Sequence, residues 1–208
     1  MKLHVQRFGE GADIVLLHGW GLHAEVLNDV AQQLAARFRV TLIDLPGHGR
    51  SAPLAALAHP APAALAHPCA AQDYSLSRVA ASIAEVAPPH AIWLGWSLGG
   101  MVAMHIATTL PSRVMALILV ASTPQFVRDD DDWRHAMDGA VLESFAQALQ
   151  ENHAQTVQRF LALQTRGAAQ GQNTLRRLRN AAIKNPPPPV RFRAAWSFSG
   201  IPLFARLS

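Results

Sequence analysis

The chain contains one cysteine, one tyrosine and no long run of uncharged apolar residues. The single thiol, Cys69, cannot form an internal disulfide, which is typical of a protein in a reducing compartment. The amino-terminal residues lack the apolar segment of a secretory signal, and no stretch of about 18 apolar residues predicts a membrane span. We therefore expect a cytoplasmic protein with no membrane partner.

Acidic residues and histidines are missing from the last quarter of the chain. The final acid is Glu151 and the final histidine is His153, both of which precede it. Residues 1–151 hold all fourteen acids with nine Lys or Arg, whereas residues 152–208 hold another nine Lys or Arg. The net charge of +4 therefore combines an acidic part with a strongly basic one. Basic clusters can bind nucleic acid, but no recognition motif or aromatic interleaving supports that here, so we expect none.

Half of the 208 residues are hydrophobic, which suffices for one substantial core. Buried runs alternate with amphipathic helical patterns, and this alternation predicts an α/β fold with a mostly parallel sheet. The predicted helices cover residues 24–37, 75–87 and 98–109. The predicted strands lie near residues 3–8, 13–18, 38–44, 91–96 and 115–121.

The pattern predicts three regions. Residues 1–122 are expected to form the core, and residues 123–184 a helical lid with helices near 141–150 and 156–163. Residues 185–208 are basic and proline-rich, without strand or helix patterns, and we interpret them as an irregular tail that is out of frame. Residues 55–70 are a tandem duplication with two His-Pro pairs. Because other metal ligands are lacking, we interpret the duplication as a surface loop.

The most informative motif is Gly95-Trp96-Ser97-Leu98-Gly99, which follows an apolar run and precedes a helical pattern. In G-x-S-x-G motifs the serine occupies a sharp strand-to-helix turn, and small residues let the strand and helix approach each other. The hydroxyl then stands at a helix N-terminus, whose partial positive charge favours an anionic intermediate. The motif therefore predicts Ser97 as a nucleophile. Chance occurrence is the alternative, and the flanking strand and helix patterns disfavour it.

A second segment ends a predicted strand in His18-Gly19-Trp20-Gly21. A serine that cleaves esters needs two convergent backbone N–H donors for the tetrahedral oxyanion. We expect these donors to be the N–H groups of Leu98 and Trp20. An ordinary turn at the end of a strand, with His18 capping a loop or packed in the core, is the alternative.

A third segment, residues 44–51, follows another predicted strand, and its Asp44 and His48 are predicted to organise a turn rather than to act in catalysis. In this order, the three segments resemble the α/β-hydrolase superfamily. Residues 159–165, Arg-Phe-Leu-Ala-Leu-Gln-Thr, together with the segments around Trp20 and Ser97, are similar to the pimeloyl-acyl-carrier-protein methyl ester esterases of biotin synthesis. The similarity runs from about residue 3 to about residue 180.

The resemblance implies a serine carboxylesterase that hydrolyses the methyl ester of a carrier-bound pimeloyl chain, with no metal or organic cofactor. The implied partner is the acyl carrier protein, and we expect the enzyme to be a monomer. An acidic carrier would suit the basic surface that includes Arg159 and Arg176. By the same resemblance, the acyl pocket would be lined by Trp20, Ser97, Leu98, Phe160, Leu161, Ala162, Leu163 and Gln164.

The catalytic machinery that this resemblance requires is incomplete. Such hydrolases use Ser, then Asp or Glu, then His in chain order, and the last two are expected after the lid. The chain has no acid or histidine after His153, and use of His153 or His135 would need an unusual lid geometry. Without a histidine base, the serine hydroxyl keeps its proton near neutral pH, which lowers the rate by several orders of magnitude.

We therefore expect the C-terminal strands of the fold to be missing, which would leave a sheet edge and apolar surface exposed. Three functions stay open. The chain is the named esterase, a general short-chain esterase or thioesterase of the same fold, or an inactive chain that at most binds acyl carrier protein.

Overall fold

A computed structural model describes residues 2–54, 57, 75–128 and 135–184. Its strands are β1 (Val5–Phe8), β2 (Ala12–Leu17), β3 (Phe38–Ile43), β4 (Ala91–Trp96) and β5 (Val114–Val120). They form one sheet in the order β1-β3-β2-β4-β5. β1 is antiparallel to β3, and the other neighbouring pairs are parallel. The predicted α/β fold with a mostly parallel sheet is confirmed.

The described α-helices are α1 (Asn28–Leu34), α2 (Leu76–Val86), α3 (Leu98–Thr109), α4 (Gly139–Glu151), α5 (His153–Gln164) and α6 (Gly171–Lys184). Side chains cap the start of three of them, where Ser75, Asp138 and Asn152 accept backbone N–H bonds. These caps satisfy donors that have no acceptor within the helix.

The helices depart from the prediction in two places. Residues 24–37 are not one helix, because a 3-10 turn over Ala24–Leu27 precedes α1. The carboxylate of Asp44 accepts the N–H of Ala24 at 2.7 Å, which holds the start of this turn. α6 is not among the predicted helices, since most of its residues are polar and only Leu175 and Leu178 mark its described apolar face.

The sheet buries apolar side chains on both faces, as alternation along β2 shows. Val15 and Leu17 belong to the larger core cluster, which includes residues of α2 and α3. Ile14 and Leu16 point to the other face and pack in a smaller cluster with Ala31 of α1. Since both faces are covered, the buried part of β2, residues 14–17, is a continuous apolar run rather than an alternating one.

β5 is the exception. Four of its side chains have 42–52% of their surface exposed, namely Met115, Ile118, Leu119 and Val120. Among the described residues this strand pairs with β4 alone. Edge strands usually carry charged residues or proline that discourage pairing with another chain, and β5 carries neither. The described part of the chain therefore leaves an apolar sheet edge exposed, as expected.

None of the described helices has both the length and the apolar character that a membrane crossing requires. α4, α5 and α6 fall within residues 123–184, and the division into core, lid and tail stays a prediction. Cys69, the duplication apart from Leu57, the acidic run 129–132 and the tail 185–208 lie outside the described residues.

Candidate active site

Ser97 lies between β4 and α3, at the carboxyl edge of the parallel strands. Its backbone has φ 53° and ψ −116°. Ala121 is the only other non-glycine residue with positive φ in the described part of the chain. Such a conformation costs about 1–3 kcal/mol and persists only where the surroundings impose it. The structure therefore places Ser97 on the strained turn that its motif predicts, with β4 flanked by β2 and β5.

Three glycines permit this turn. A Cβ on Gly95 would lie 2.4 Å from the Cα of Gly100, and a Cβ on Gly99 would lie 2.4 Å from the carbonyl oxygen of Leu17. A Cβ on Gly100 would lie 2.5 Å from the side chain of Ser122. Because side chains do not fit at these positions, only glycine lets the first turn of α3 sit directly against β2, β4 and the end of β5.

The end of β5 holds both backbone polar groups of Ser97. The N–H of Ser97 donates to the carbonyl oxygen of Val120 at 2.9 Å. The hydroxyl of Ser122 donates to the carbonyl oxygen of Ser97 at 2.8 Å. Sequence reasoning missed this role of Ser122, for which the only signal is a serine directly after a predicted strand.

The loop after β2 runs beside the Ser97 side chain. A Cβ on Gly19 would lie 3.4 Å from the Cβ of Ser97, and Trp20, the next residue, is buried. Leu98 is the first residue of α3, so its N–H has no acceptor within the helix. The two predicted oxyanion donors, Trp20 and Leu98, thus lie on segments that meet at Ser97. Their role in catalysis stays a prediction.

Asp44 holds the two turns behind this loop. Its carboxylate accepts the N–H of Ala24 at 2.7 Å and the N–H of Arg50 at 2.9 Å. A Cβ on Gly49 would lie 2.3 Å from the same carboxylate, and Gly49 has φ +56°. The carboxylate therefore organises backbone, as predicted.

His18 and His48 are both fully buried, with their ring centroids 5.5 Å apart. Burial lowers the pKa of His18 well below its ordinary value, and the neighbouring His48 lowers it further. Burial also lowers the pKa of His48 to about 4, against the hydrogen bond that its Nδ1 makes with the Pro46 carbonyl. Both rings are therefore neutral near pH 7 and belong to the core.

The Ser97 hydroxyl has no hydrogen bond to any side chain in the described ranges. His153 lies at the start of α5, and His135 is exposed ahead of α4. Neither is hydrogen-bonded to Ser97. The described residues therefore provide the strained turn that carries the serine, but none of their histidines is hydrogen-bonded to it.

Trp20 connects the site to the helices after β5. The centroid of its ring lies 5.6 Å from that of Phe145 on α4 and 5.5 Å from that of Phe160 on α5. Both contacts are edge to face, a favourable arrangement for aromatic pairs, and the two phenyl rings are 5.7 Å apart. Sequence reasoning missed Phe145, although Leu142 and Leu149 mark the same apolar face of α4 at helical spacing.

The other pocket residues predicted on α5 point in different directions. Leu161 is fully buried in the core, and Ala162 is half-buried. Leu163 is 63% exposed and Gln164 is also exposed. The structure thus brings Phe160 to Trp20, packs Leu161 in the core, and leaves Leu163 and Gln164 in solvent.

The predicted carrier-contact residues, Arg159 on α5 and Arg176 on α6, are exposed. Arg177 pairs with Asp29 of α1 at 2.7 Å. Both of those side chains are about two thirds exposed, so this ion pair contributes little to stability. α5 and α6 therefore present basic groups to solvent.

Comparison with known proteins agrees with this geometry. Residues 14–196 match the family described as alpha/beta hydrolase fold. A pimeloyl-[acyl-carrier protein] methyl ester esterase of Chromobacterium violaceum is 43% identical over 188 residues, which are 90% of this chain and 67% of that protein. The protein of the same name from Klebsiella pneumoniae is 43% identical over 184 residues, 88% of this chain and 64% of that protein. The chain spans about two thirds of the length of these relatives.

Solved structures show the same fold at lower sequence identity. An esterase from Exiguobacterium antarcticum superposes with a TM-score of 0.71 at 19% identity, covering 88% of this chain and 64% of that one. A hydrolase from Oleispira antarctica also gives 0.71 at 20% identity, with 90% and 65% covered. On the family match, the close relatives and the strained serine turn, the chain belongs to the α/β-hydrolase fold family.

Proposed function

We propose that the chain carries the nucleophile of a serine carboxylesterase that hydrolyses the methyl ester of pimeloyl-acyl-carrier protein, in biotin synthesis. The observation that carries the proposal is Ser97, held at φ 53° between β4 and α3 by the contacts of Gly95, Gly99 and Gly100. A serine kept in this conformation presents its hydroxyl above the sheet edge. The similarity to esterases of that name supports the substrate.

In the proposed reaction, the Ser97 hydroxyl loses its proton to a base as its oxygen attacks the ester carbonyl. The oxyanion accepts hydrogen bonds from the N–H groups of Leu98 and Trp20, and the intermediate collapses as methanol leaves with a proton. Water then attacks the acyl-serine, releasing the free carboxylate and restoring the hydroxyl. The described residues supply the nucleophile and the two donors. The base is still missing, because no side chain among the described residues is hydrogen-bonded to the Ser97 hydroxyl.

The aromatic contacts support an apolar acyl chain as the substrate. Trp20, Phe145 and Phe160 form a wall of three mutually contacting rings between the loop after β2 and the helices α4 and α5. Phe145 and Phe160 are each only half-buried, so they retain surface that a methylene chain can cover. The proposed pocket therefore lies between this wall and Ser97.

Two further functions have support of their own. A general short-chain esterase or thioesterase would use the same turn and the same oxyanion donors. One of the solved structures with the same fold is an esterase that is 19% identical in sequence to this chain. An inactive chain that binds acyl carrier protein would explain why no described histidine is bonded to Ser97. Substrate preference and serine reactivity separate the three functions.

We expect a fluorophosphonate probe to label the wild-type protein at Ser97 and to leave the Ser97→Ala variant unlabelled, because the oxygen that attacks phosphorus is then absent. Intact mass measures the labelling, and urea unfolding of both proteins checks that the variant is folded. Faster hydrolysis of the carrier-linked methyl ester than of short aryl esters supports the proposal. Equal rates favour the general esterase, and a folded wild-type protein that is never labelled favours the inactive chain.

Charge reversal on the basic helices is expected to weaken carrier binding. The double variant Arg159→Glu, Arg176→Glu should raise the Kd for the acidic, pimeloyl methyl ester-loaded carrier about tenfold or more at low salt, and the difference should shrink at high salt. Calorimetric titration with Ser97→Ala added to each protein measures binding without hydrolysis of the ester. Unchanged binding by the double variant contradicts the proposed docking surface.

Arg37→Glu is the control for the general effect of one charge reversal, and it is compared with the single variants Arg159→Glu and Arg176→Glu. The carbonyl of the exposed Arg37 lies against Gly11, at the amino end of β2, whereas Ser97 lies at the carboxyl end of the parallel strands. Arg37→Glu changes the net charge by as much as either single variant, but at the opposite edge of the sheet. We expect little change in carrier affinity.

A further inference from the structure

His18 bonds to backbone on both sides of its ring. Its Nε2 lies 2.9 Å from the backbone nitrogen of Leu45, and its Nδ1 lies 2.8 Å from the carbonyl oxygen of Gly19. The Leu45 N–H can only donate, so Nε2 is the acceptor and the ring proton sits on Nδ1. Nδ1–H therefore donates to the Gly19 carbonyl. Two backbone partners thus select one neutral tautomer of a fully buried ring.

The Gly19 carbonyl shares its peptide plane with the N–H of Trp20. No peptide bond in the described residues is cis, so this carbonyl and this N–H point in opposite directions. A hydrogen bond that draws the carbonyl towards the His18 ring turns the Trp20 N–H away from the ring. The ring thus sets the direction of a donor that belongs to the next residue.

A peptide next to glycine needs such a restraint. Gly19 has no Cβ to limit its backbone rotation, so the plane between Gly19 and Trp20 can turn over at small cost. The same glycine lies against the nucleophile, since a Cβ on it would be 3.4 Å from the Cβ of Ser97. The orientation of this plane therefore determines which polar group, carbonyl or N–H, is directed at a substrate on Ser97.

We propose that His18 is a positioning residue of the oxyanion hole, in which its Nδ1–H bond to the Gly19 carbonyl aims the Trp20 N–H at the acyl oxygen on Ser97. The inference rests on the proposed function, in which Trp20 and Leu98 supply the two donors. Leu45 anchors the other side of the ring to the segment after β3. The loop that follows β3 thereby holds the loop that follows β2 in its reactive orientation.

Two substitutions separate this role from simple packing, because each can keep one of the two hydrogen bonds that the His18 ring makes. The amide nitrogen of His18→Asn stands close to the place of Nδ1 and can still donate to Gly19. The longer His18→Gln places its amide near Nε2, where its oxygen can accept from Leu45 but nothing donates to Gly19. Each variant leaves one buried backbone group unpaired, so we expect similar losses of stability.

The rate of Ser97 phosphonylation should nevertheless differ between the two variants. We expect His18→Gln to be slowed about 100-fold, the range for loss of one oxyanion donor, and His18→Asn less than tenfold. His90→Gln, at an exposed position away from the loop, is the control for loss of a histidine. Equal slowing of the Asn and Gln variants, with equal losses of stability, would show a purely structural role and overturn the proposal.

A second readout does not depend on reactivity. In the wild type and in His18→Asn, NMR should show a cross-peak between the Trp20 amide proton and the Ser97 Hβ protons, and this cross-peak should be lost in His18→Gln. If the wild type is never phosphonylated, the proposed esterase function fails while the NMR comparison still tests His18. Retention of the cross-peak in His18→Gln contradicts the positioning role whatever the probe reports.

Discussion

Replacing Gly95 by alanine is expected to lower the free energy of unfolding by about 3 kcal/mol and to abolish labelling at Ser97. The added Cβ would lie 2.4 Å from the Cα of Gly100 and 2.4 Å from the carbonyl oxygen of Gly99. Both atoms are backbone in the first turn of α3, so no side-chain rotation relieves the overlap. The strand and the helix must separate, and the turn that holds φ 53° at Ser97 is then lost.

Gly139→Ala is the control for this change. Gly139 is the first residue of α4, and a Cβ there would meet Val127 at 3.7 Å, an ordinary contact. We expect this variant to be as stable as the wild type, or more stable by up to about 1 kcal/mol, because alanine restricts the unfolded chain. Urea unfolding followed by circular dichroism gives both values. A Gly95→Ala protein with the wild-type midpoint would contradict the close approach of β4 and α3.

Acid is expected to destabilise the protein by about 3 kcal/mol through His48 between pH 6.5 and pH 4. The pKa of His48 is lowered by burial from an ordinary value of 6.5 to about 4. In that window the unfolded chain binds a proton that the folded protein excludes. Stability is therefore full above pH 6.5 and is lost as the pH falls towards 4. The pKa of neighbouring His18 is lowered too, in the same direction, while the charge of Asp44 acts against the shift at His48.

The measurement is urea unfolding at several pH values between 4.5 and 7.5. We expect His48→Gln to be less stable at pH 7 but to lose stability with acid less steeply, by about one proton. His90→Gln, at an exposed position, should keep the wild-type slope. The hydrogen bond from Arg39 lowers the pKa of Asp13 below 3.8, so that pair weakens only below this window. Identical slopes for the wild type and His48→Gln would be inconsistent with a buried neutral ring.

The local parts of the site were predictable from the sequence because their cause is local. A buried strand, a G-x-S-x-G turn and a helix stand in one run of residues, so the place of Ser97 on a strand-to-helix turn follows from its neighbours in the chain. The same holds for the strand ends that carry His18 and Asp44. Asp44 is predicted to organise a turn, and its hydrogen bond to the N–H of Ala24 agrees with that prediction. For His18 a loop cap or a core position is only the alternative interpretation, and the structure shows a buried ring bonded to the Gly19 carbonyl.

What sequence reasoning missed depends on residues far apart in the chain. Ser122 reaches Ser97 only because β5 pairs with β4, and Phe145 reaches Trp20 only because α4 folds back over the loop after β2. α6 has a weak apolar face whose Leu178 is buried only by packing with the rest of the core. Periodicity within a single segment contains none of this information.

The contacts that hold the Ser97 turn come from the sheet, from the residues directly after β5, and from the first turn of α3. Leu17, Gly95, Val120 and Ser122 hold the turn through backbone and hydroxyl groups, and none of them is an acid or a histidine that could act as the base. The backbone conformation of Ser97 therefore does not depend on the base that would activate its hydroxyl. A hydrolase of this construction can therefore lose its base, and with it turnover, while its serine keeps the strained conformation.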